Sequence, residues 1–574
     1  MKKMLAFVAM LTALVFCLAG MGVAEFNPGT YSVEMLAHNG NIKLDVTFSA
    51  DKIEKIELVE HEESKQLGDV AIQMIAEAII EQQSLNVDTI AGATISSAVA
   101  KAAITQAVKD AGGDPAAMQV KKAADTAVLP DENVDIVVVG AGAAGMAAAT
   151  EAAELGLDVI LVEQLGILGG SSMRAGGIQG ADTSILAKYG QTFTKEQHFA
   201  QLSAPVTGSL HPDTLDVEYC KIAVDNWSDN IEWFVGLGVE FQEPWGGLGY
   251  HWDAGGARNA WRLIKAMHER MDELKADYRL NTKAESLIIE DGAVKGIVAT
   301  APNGTQYKIN AKGVVLATGG YLANKEVVAK YLPGFENGSY DVSMGCDGSG
   351  LLMALEAGAD TKAMDSAGMH ALACMYRGIS RSLTMPAHCG GIAVNSKGER
   401  YFDENAPYAE LTTATKAQGD VWLLMDEATF TAPAVATDIG GNPDMYVICD
   451  TLEELAVELG IDAEGLKTTA ERYGEFVRNG VDEDFGKAKS GLVGDFSKGP
   501  YYDVKTVIEN HTVYGGVVVN NDAQVLNANG EVIEGLLGAG EFVCFKTPGR
   551  GPLAEAIDFG RIAARTVKAA IDAK

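Results

Sequence analysis

The 574-residue sequence predicts an α/β fold built on a parallel sheet, interrupted by an α+β insertion and preceded by a small α+β unit. Three observations carry this. The apolar run Val134–Val139 leads into Gly140, with glycine again at 142 and 145, an alanine-rich helical stretch, and a second apolar strand Val159–Val162 that ends at Glu163. Strand, glycine turn, helix and strand in that order make a Rossmann-like β-α-β unit. Two further strand ends, Gly313–Leu316 running into Ala317-Thr318-Gly319-Gly320 and Gly535–Glu541, lie so far downstream that one discontinuous domain must hold an insertion. Ahead of it, Gly29–Met35 and Ile42–Phe48 alternate as strands do, while Val70–Gln82 and Ser97–Ala111 carry helical periodicity.

The spacing in the first unit points to an adenine dinucleotide. Gly140 takes the tight turn, Gly142 removes a Cβ where a pyrophosphate approaches helix N-terminal amides, and Gly145 lets the helix, with Ala144, pack closely on the sheet. Glu163 at the end of the second strand can accept both adenosine ribose hydroxyls and would repel a 2′-phosphate. Ligand chemistry of this kind limits the chain to redox or redox-like work.

Composition narrows the partners. A formal net charge of −33 argues against nucleic-acid or anionic-lipid binding by charge. Lys2 and Lys3, the apolar run from Leu5 and the small residues Gly22-Val23-Ala24 read as an export signal over residues 1–24, placing the protein outside the cytoplasm, in the periplasm or at the cell surface. The run is also long enough to remain as a membrane anchor. Six cysteines follow the leader, without CxxC or CxxCH, which argues against covalent haem and an ordinary iron–sulfur cluster. Residues 25–112 form the first unit, 113–133 a linker, 134–364 and 511–574 the two parts of the dinucleotide-binding domain, and 365–510 the insertion.

The chain resembles the soluble fumarate-reductase and urocanate-reductase flavoproteins, a superfamily that includes the ketosteroid dehydrogenases. The resemblance rests on the dinucleotide fingerprint, Gly169-Gly170-Ser171-Ser172 with Gly176-Gly177, Ala317-Thr318-Gly319-Gly320, Asp347-Gly348, Gly398-Glu399-Arg400 through Glu404, and Gly538-Ala539-Gly540-Glu541. It implies noncovalent FAD, to which those segments with Ala556 and Ile557 of the closing helix would contribute, and a capping domain that closes over substrate. The first unit resembles a covalent-FMN-binding domain. By that likeness Asp88 leads the motif ending Gly92-Ala93-Thr94, and a flavin transferase esterifies Thr94 with FMN phosphate. A helix N-terminus suits a phosphodiester, and an N-capping turn is the plainer reading of the same residues. A membrane-associated donor would then feed FMN, and FMN would feed FAD.

The catalytic positions depart from the fumarate reducers. The resemblance aligns their proton-delivering arginine with Tyr408, and the two residues that feed it with Thr384 and Ala387. Tyrosine there is similar to the ketosteroid branch, and a phenol with a pKa near 10 needs a stabilising neighbour. His511 aligns with a substrate-binding histidine, and His370 lies close to another. Arg550 falls in the segment of the substrate-clamping arginine, although the ungapped count reaches Gly551. The expected activity is reduction of a C=C bond in an unsaturated acid or enone other than fumarate, for anaerobic respiration. A steroid-type dehydrogenase and a non-catalytic flavin electron carrier are the rivals. Trp245, Trp252, Met375 and Tyr376 are candidates to set substrate size.

Overall fold

The computed structural model describes residues 26–120, 128–175, 177–205, 211–244, 250–251, 260–376, 379–406, 408–432, 435–436, 439, 443–547 and 549–573. The leader, Gly176, Trp245, Trp252 and part of the linker lie outside the described residues. Chain contacts divide the described residues into two compact units, one holding those up to 129 with 165–167 and 301–305, the other the rest.

In the first unit, Gly29–Leu36, Asn41–Phe48 and Ile53–His61 form a three-stranded antiparallel sheet. Period-2 alternation turns Ile42, Leu44, Val46 and Phe48 inward, onto Ile72, Ile75 and Ile79 of helix Gly68–Gln82 and Ala100, Ile104 and Ala107 of helix Thr94–Asp110.

The second unit is centred on an eight-stranded sheet whose path runs Gln524–Leu526, Val532–Gly538, Gln306–Leu316, Glu132–Val139, Val159–Val162 and Asp277–Arg279. The five strands from Val532–Gly538 to Asp277–Arg279 are parallel, with Val137 beside Val314 and Ile160. Strand Glu132–Val139 begins two residues before the expected start at Val134, because Glu132 and Asn133 already pair with Ile309 and Asn310. Helix Ala143–Glu154 and the closing helix Pro552–Asp572 pack together. Arg561 fastens them through Glu151 at 2.7 Å, with Asn230 as its second partner. Among the described residues, no helix is long and apolar enough to cross a membrane.

The insertion has its own four-stranded sheet, ordered Ile392–Asn395, Val421–Asp426, Tyr501–Lys505, Val447–Cys449. Alternation splits its strands between two cores. Leu423, Met425, Tyr502 and Val504 face one, and Trp422, Leu424 and Tyr501 face the other under helices Leu452–Leu459 and Ala463–Asn479. A further sheet, ordered Ser339–Tyr340, Val507–Val513, Ala367–Tyr376, Ile379–Ser382, spans the expected boundaries. The expected break between Asn510 and His511 falls inside strand Val507–Val513, which carries the candidate residue His511.

Candidate functional site

The site grows out of the register of that last sheet. His370 stands opposite Glu509, and its Nδ1 bonds the Glu509 carboxylate at 2.6 Å. His511 lies two residues beyond Glu509 on the same strand face, so it meets His370 diagonally and the rings stack with centroids 4.0 Å apart. On the other side, Ser339–Tyr340 pairs in parallel with Glu509–Asn510, which sets Asp341 beside His511. His511 Nδ1 is 3.0 Å from Asp341 Oδ2. Helix Tyr408–Lys416 packs on strand Ala367–Tyr376 and brings the Tyr408 ring edge-on to His370, 5.1 Å between centroids. Tyr408 is 38 % exposed and the His511 side chain 37 %, so both can meet a ligand.

The two imidazoles are biased in opposite directions. Burial lowers the pKa of His370, and the Glu509 hydrogen bond only partly offsets it. Burial also opposes the charged form of His511, but the Asp341 carboxylate outweighs it and raises the pKa. Asp341 is correspondingly held below the usual carboxylate range, His511 overcoming its burial.

Beneath Tyr408 the Gly398–Glu404 segment serves as an anchor. Arg400 Nε and a terminal nitrogen grip Glu404 at 2.8 and 2.9 Å, Asp482 accepts from the same guanidinium at 2.9 Å, and Lys487 Nζ reaches Glu404 at 3.2 Å. All four side chains are almost wholly buried.

Arg550 does not join the histidines here. It donates to the carbonyls of Gln201, Leu202 at 2.8 Å and Pro205 at 3.3 Å, closing the C-terminus of helix Lys195–Ser203. Gly551, at the ungapped position, caps helix Pro552–Asp572.

The dinucleotide segments fit FAD. Gly142 sits at the N-cap of helix Ala143–Glu154 without a side-chain cap. A Cβ there would find only Ser172 Oγ, at 3.8 Å, so the approach is open, whereas a Cβ on Gly145 would lie 1.8 Å from the Gly140 carbonyl oxygen. Glu163 is buried and accepts from the Ala141 amide at 2.7 Å. Gly169 bridges to Gly142, Gly170 starts a short turn, Ser172 accepts from the Ala143 amide and Ser171 from the Ser343 amide. Thr318 Oγ1 is buried with no hydrogen-bond partner among the described residues, as expected of a group that awaits a ligand. Gly319 adopts positive φ, Asp347 accepts from the Ser349 amide, Ala556 and Ile557 are buried in the closing helix, and Ala144 is buried in helix Ala143–Glu154. Glu541, whose pKa burial raises, accepts from the Val513 amide and the Thr512 hydroxyl. Gly177 lies just before strand Ile178–Gln179.

The first unit fits a phosphate ester as well. Thr94 is the exposed first residue of a 17-residue helix whose N-cap, Ala93, has no side-chain cap. Asp88 is therefore not the helix cap, and the uncapped N-terminus favours an anion.

Residues 135–554 match the FAD binding domain family, and residues 38–109 match the FMN-binding domain family. The chain belongs to the FAD-binding flavoprotein family typified by fumarate and urocanate reductases. It is 27 % identical to the NADH:acrylate oxidoreductase of Vibrio harveyi over 94 % of this chain, which spans 61 % of that relative's length. It is 29 % identical to the urocanate reductase of Eggerthella lenta, covering 91 % of this chain and 89 % of the relative. Among solved structures, the open conformation of a flavocytochrome c3 fumarate reductase superposes with a TM-score of 0.67 at 28 % identity, covering 78 % of this chain and 82 % of that one. These relatives are reductases of C=C bonds, and the FAD-binding fold with a separate FMN-binding domain follows the sequence expectation.

Asp341 and Glu509 were not anticipated from sequence. Glu509 had a signal, since it lies two residues before His511 in a strand. Asp341 had none, because only the parallel pairing of a two-residue strand brings it to His511.

Proposed function

We propose that this flavoprotein reduces a C=C bond conjugated to a carboxylate or ketone. When bound, FAD supplies the hydride to the β-carbon. Tyr408 gives its phenolic proton to the α-carbon, while protonated His511 donates to the activating oxygen and opposes the enolate-like charge that develops there, the neutral His370 ring stacked on it fixing its orientation. The observation that carries this reading is the His370–His511 stack beside Tyr408, with a carboxylate behind each ring. A protonated His511 suits an anionic acid, and arginine is absent from the proton-donor position, so fumarate is not the substrate. Arg550 would have to release carbonyls at 201, 202 and 205 before it could clamp a carboxylate. Thr94 carries FMN as a phosphoester added by a flavin transferase, and electrons pass from a membrane-associated donor through FMN to FAD. The leader places the enzyme outside the cytoplasm, in anaerobic respiration.

The test is anaerobic reoxidation of the flavin-loaded, dithionite-reduced protein by acrylate, urocanate, fumarate and 4-androstene-3,17-dione, with Tyr408→Phe as control. Rapid reoxidation by acrylate, urocanate or the enone, lost in Tyr408→Phe, supports the reading. Tyr408 also favours a second reading, desaturation of a saturated ketone. Flavin reduction by such a ketone, without reoxidation by any unsaturated compound, would replace the first reading with it.

A further inference from the structure

A small cavity lies beside Tyr408, lined by His370, Thr384, Ala387, His388, Glu404 and Tyr408 together with apolar neighbours. It offers about 20 Å³ to the centre of a water-sized sphere, enough for one water molecule. Its polar walls can hold that water. His388 ends the short helix Thr384–His388 and is exposed to solvent, whereas His370 and Glu404 are buried. The cavity thus has an exposed histidine and Tyr408 among its walls.

A phenol that gives up a proton in each turnover has to recover one, and most of the lining cannot supply it. Glu404 accepts from the Ala393 amide, Arg400 and Lys487, and although burial opposes its charge, those cations keep its pKa low. It stays ionised, with Arg400 and Lys487 behind it. His370 is committed through Nδ1 to Glu509, and burial lowers its pKa. The Thr384 hydroxyl is paired with Ser382 at 2.6 Å and does not ionise in this range. His388 remains.

We propose that His388 returns the proton to Tyr408 through a water held in this cavity. The inference rests on Tyr408 as the acid. In the chemical step the Tyr408 O–H bond breaks, a C–H bond forms at the α-carbon, and the reduced flavin supplies the electron pair as hydride to the β-carbon. The phenolate then takes a proton from the water, the water takes one from the His388 imidazolium, and His388 recovers one from bulk solvent. No electrons move in the return step.

This sequence separates the first turnover from later ones, because Tyr408 starts with its own proton. The experiment compares stopped-flow reoxidation of reduced holoenzyme with steady-state turnover on reduced viologen at low buffer, using whichever of acrylate and urocanate reoxidises the wild type faster. For His388→Gln, first-turnover reoxidation should stay within about twofold, while steady-state turnover falls about tenfold or more and recovers on adding imidazole. Ala387→Leu, which fills the water position, should give the same fall without imidazole recovery. Steady-state turnover of His388→Gln within about twofold of wild type overturns the proposal. Retention of first-turnover reoxidation by Tyr408→Phe sinks the assignment of the acid instead. If neither compound reoxidises the wild type, the substrate reading falls and the relay with it.

Discussion

His370 and His511 stack with their planes 24° apart, and each turns Nδ1 to a different carboxylate, Glu509 for one and Asp341 for the other. Two imidazoles this close resist double protonation, since like charges disfavour each other. The balance of burial and carboxylate divides the roles, since Asp341 outweighs the burial of His511 whereas Glu509 does not outweigh that of His370. His511 is the ring that retains a proton, and His370 is the ring that stays neutral. A site with one positive charge, held by geometry beside a phenol, suits an anion or a developing enolate.

Asp341→Asn should therefore weaken acid substrates more than it slows chemistry. The raised pKa of His511 keeps its charged form above the ordinary imidazole value near 6.5. Anion binding is full below that value and is lost as pH rises through the folded-state pKa. The same sign applies to stability, because the His511–Asp341 pair stabilises the fold most below the unfolded imidazole pKa and loses that contribution as pH rises. In Asp341→Asn the loss of acrylate binding should move to lower pH, with KM at neutral pH up about tenfold, the scale of one charge-assisted hydrogen bond. A KM–pH profile identical to wild type would remove Asp341 from the argument.

Glu404→Ala should act on stability first. It leaves Arg400 facing Asp482 alone and strips the buried Lys487 of its only carboxylate within 4 Å among the described residues. Breaking a buried ion pair from one side costs about 3–5 kcal/mol, because a charge is left without compensation. Urea unfolding of holoenzyme should show that loss in the insertion, and Glu404→Gln should lose less, since its amide oxygen can still accept.

How much of this was legible in the sequence follows from how local each signal is. The β-α-β unit was legible because Gly140, Gly142, Gly145 and Glu163 are spaced by one turn, one helix and one strand. In the first unit, Ile42–Phe48 was readable from strict alternation, whereas the third strand, Ile53–His61, carries Glu54, Lys55, Glu57 and Glu60 on a mostly exposed surface and gave no apolar period. Tyr408, His370 and His511 were singled out one at a time by likeness to a family. Their mutual contact was not, because it depends on the pairing of strands whose residues lie more than a hundred positions apart. The Gly398–Glu404 motif was read only as a family match, and its structural part is local: Arg400 and Glu404 pair in the interior, Glu404 four residues ahead of Tyr408.

Gly142→Ala and Gly145→Ala should part company. At Gly145 the new methyl would lie 1.8 Å from the Gly140 oxygen, so the helix must leave the sheet, and both thermal stability and FAD should be lost. At Gly142 the methyl meets nothing closer than 3.8 Å, so the protein should fold with wild-type circular dichroism yet bind FAD at least about tenfold more weakly, the methyl occupying the approach of the pyrophosphate. Equal FAD affinity in wild type and Gly142→Ala would place the phosphates elsewhere.

Thr94→Val separates the two flavins. Thr94 is exposed at the start of its helix and no side chain caps that end, so valine should change stability by no more than about 0.5 kcal/mol. Wild-type protein made with a flavin transferase should, after denaturation, release FAD to the supernatant and keep FMN on the chain, seen as flavin fluorescence in a denaturing gel and as added mass on the peptide containing Thr94. Thr94→Val should release the same FAD and keep nothing. Its FAD should still be reoxidised by substrate, while its reduction through the physiological donor should fail. Flavin retained on the denatured Thr94→Val chain would show that the ester, if one forms, is made at another hydroxyl.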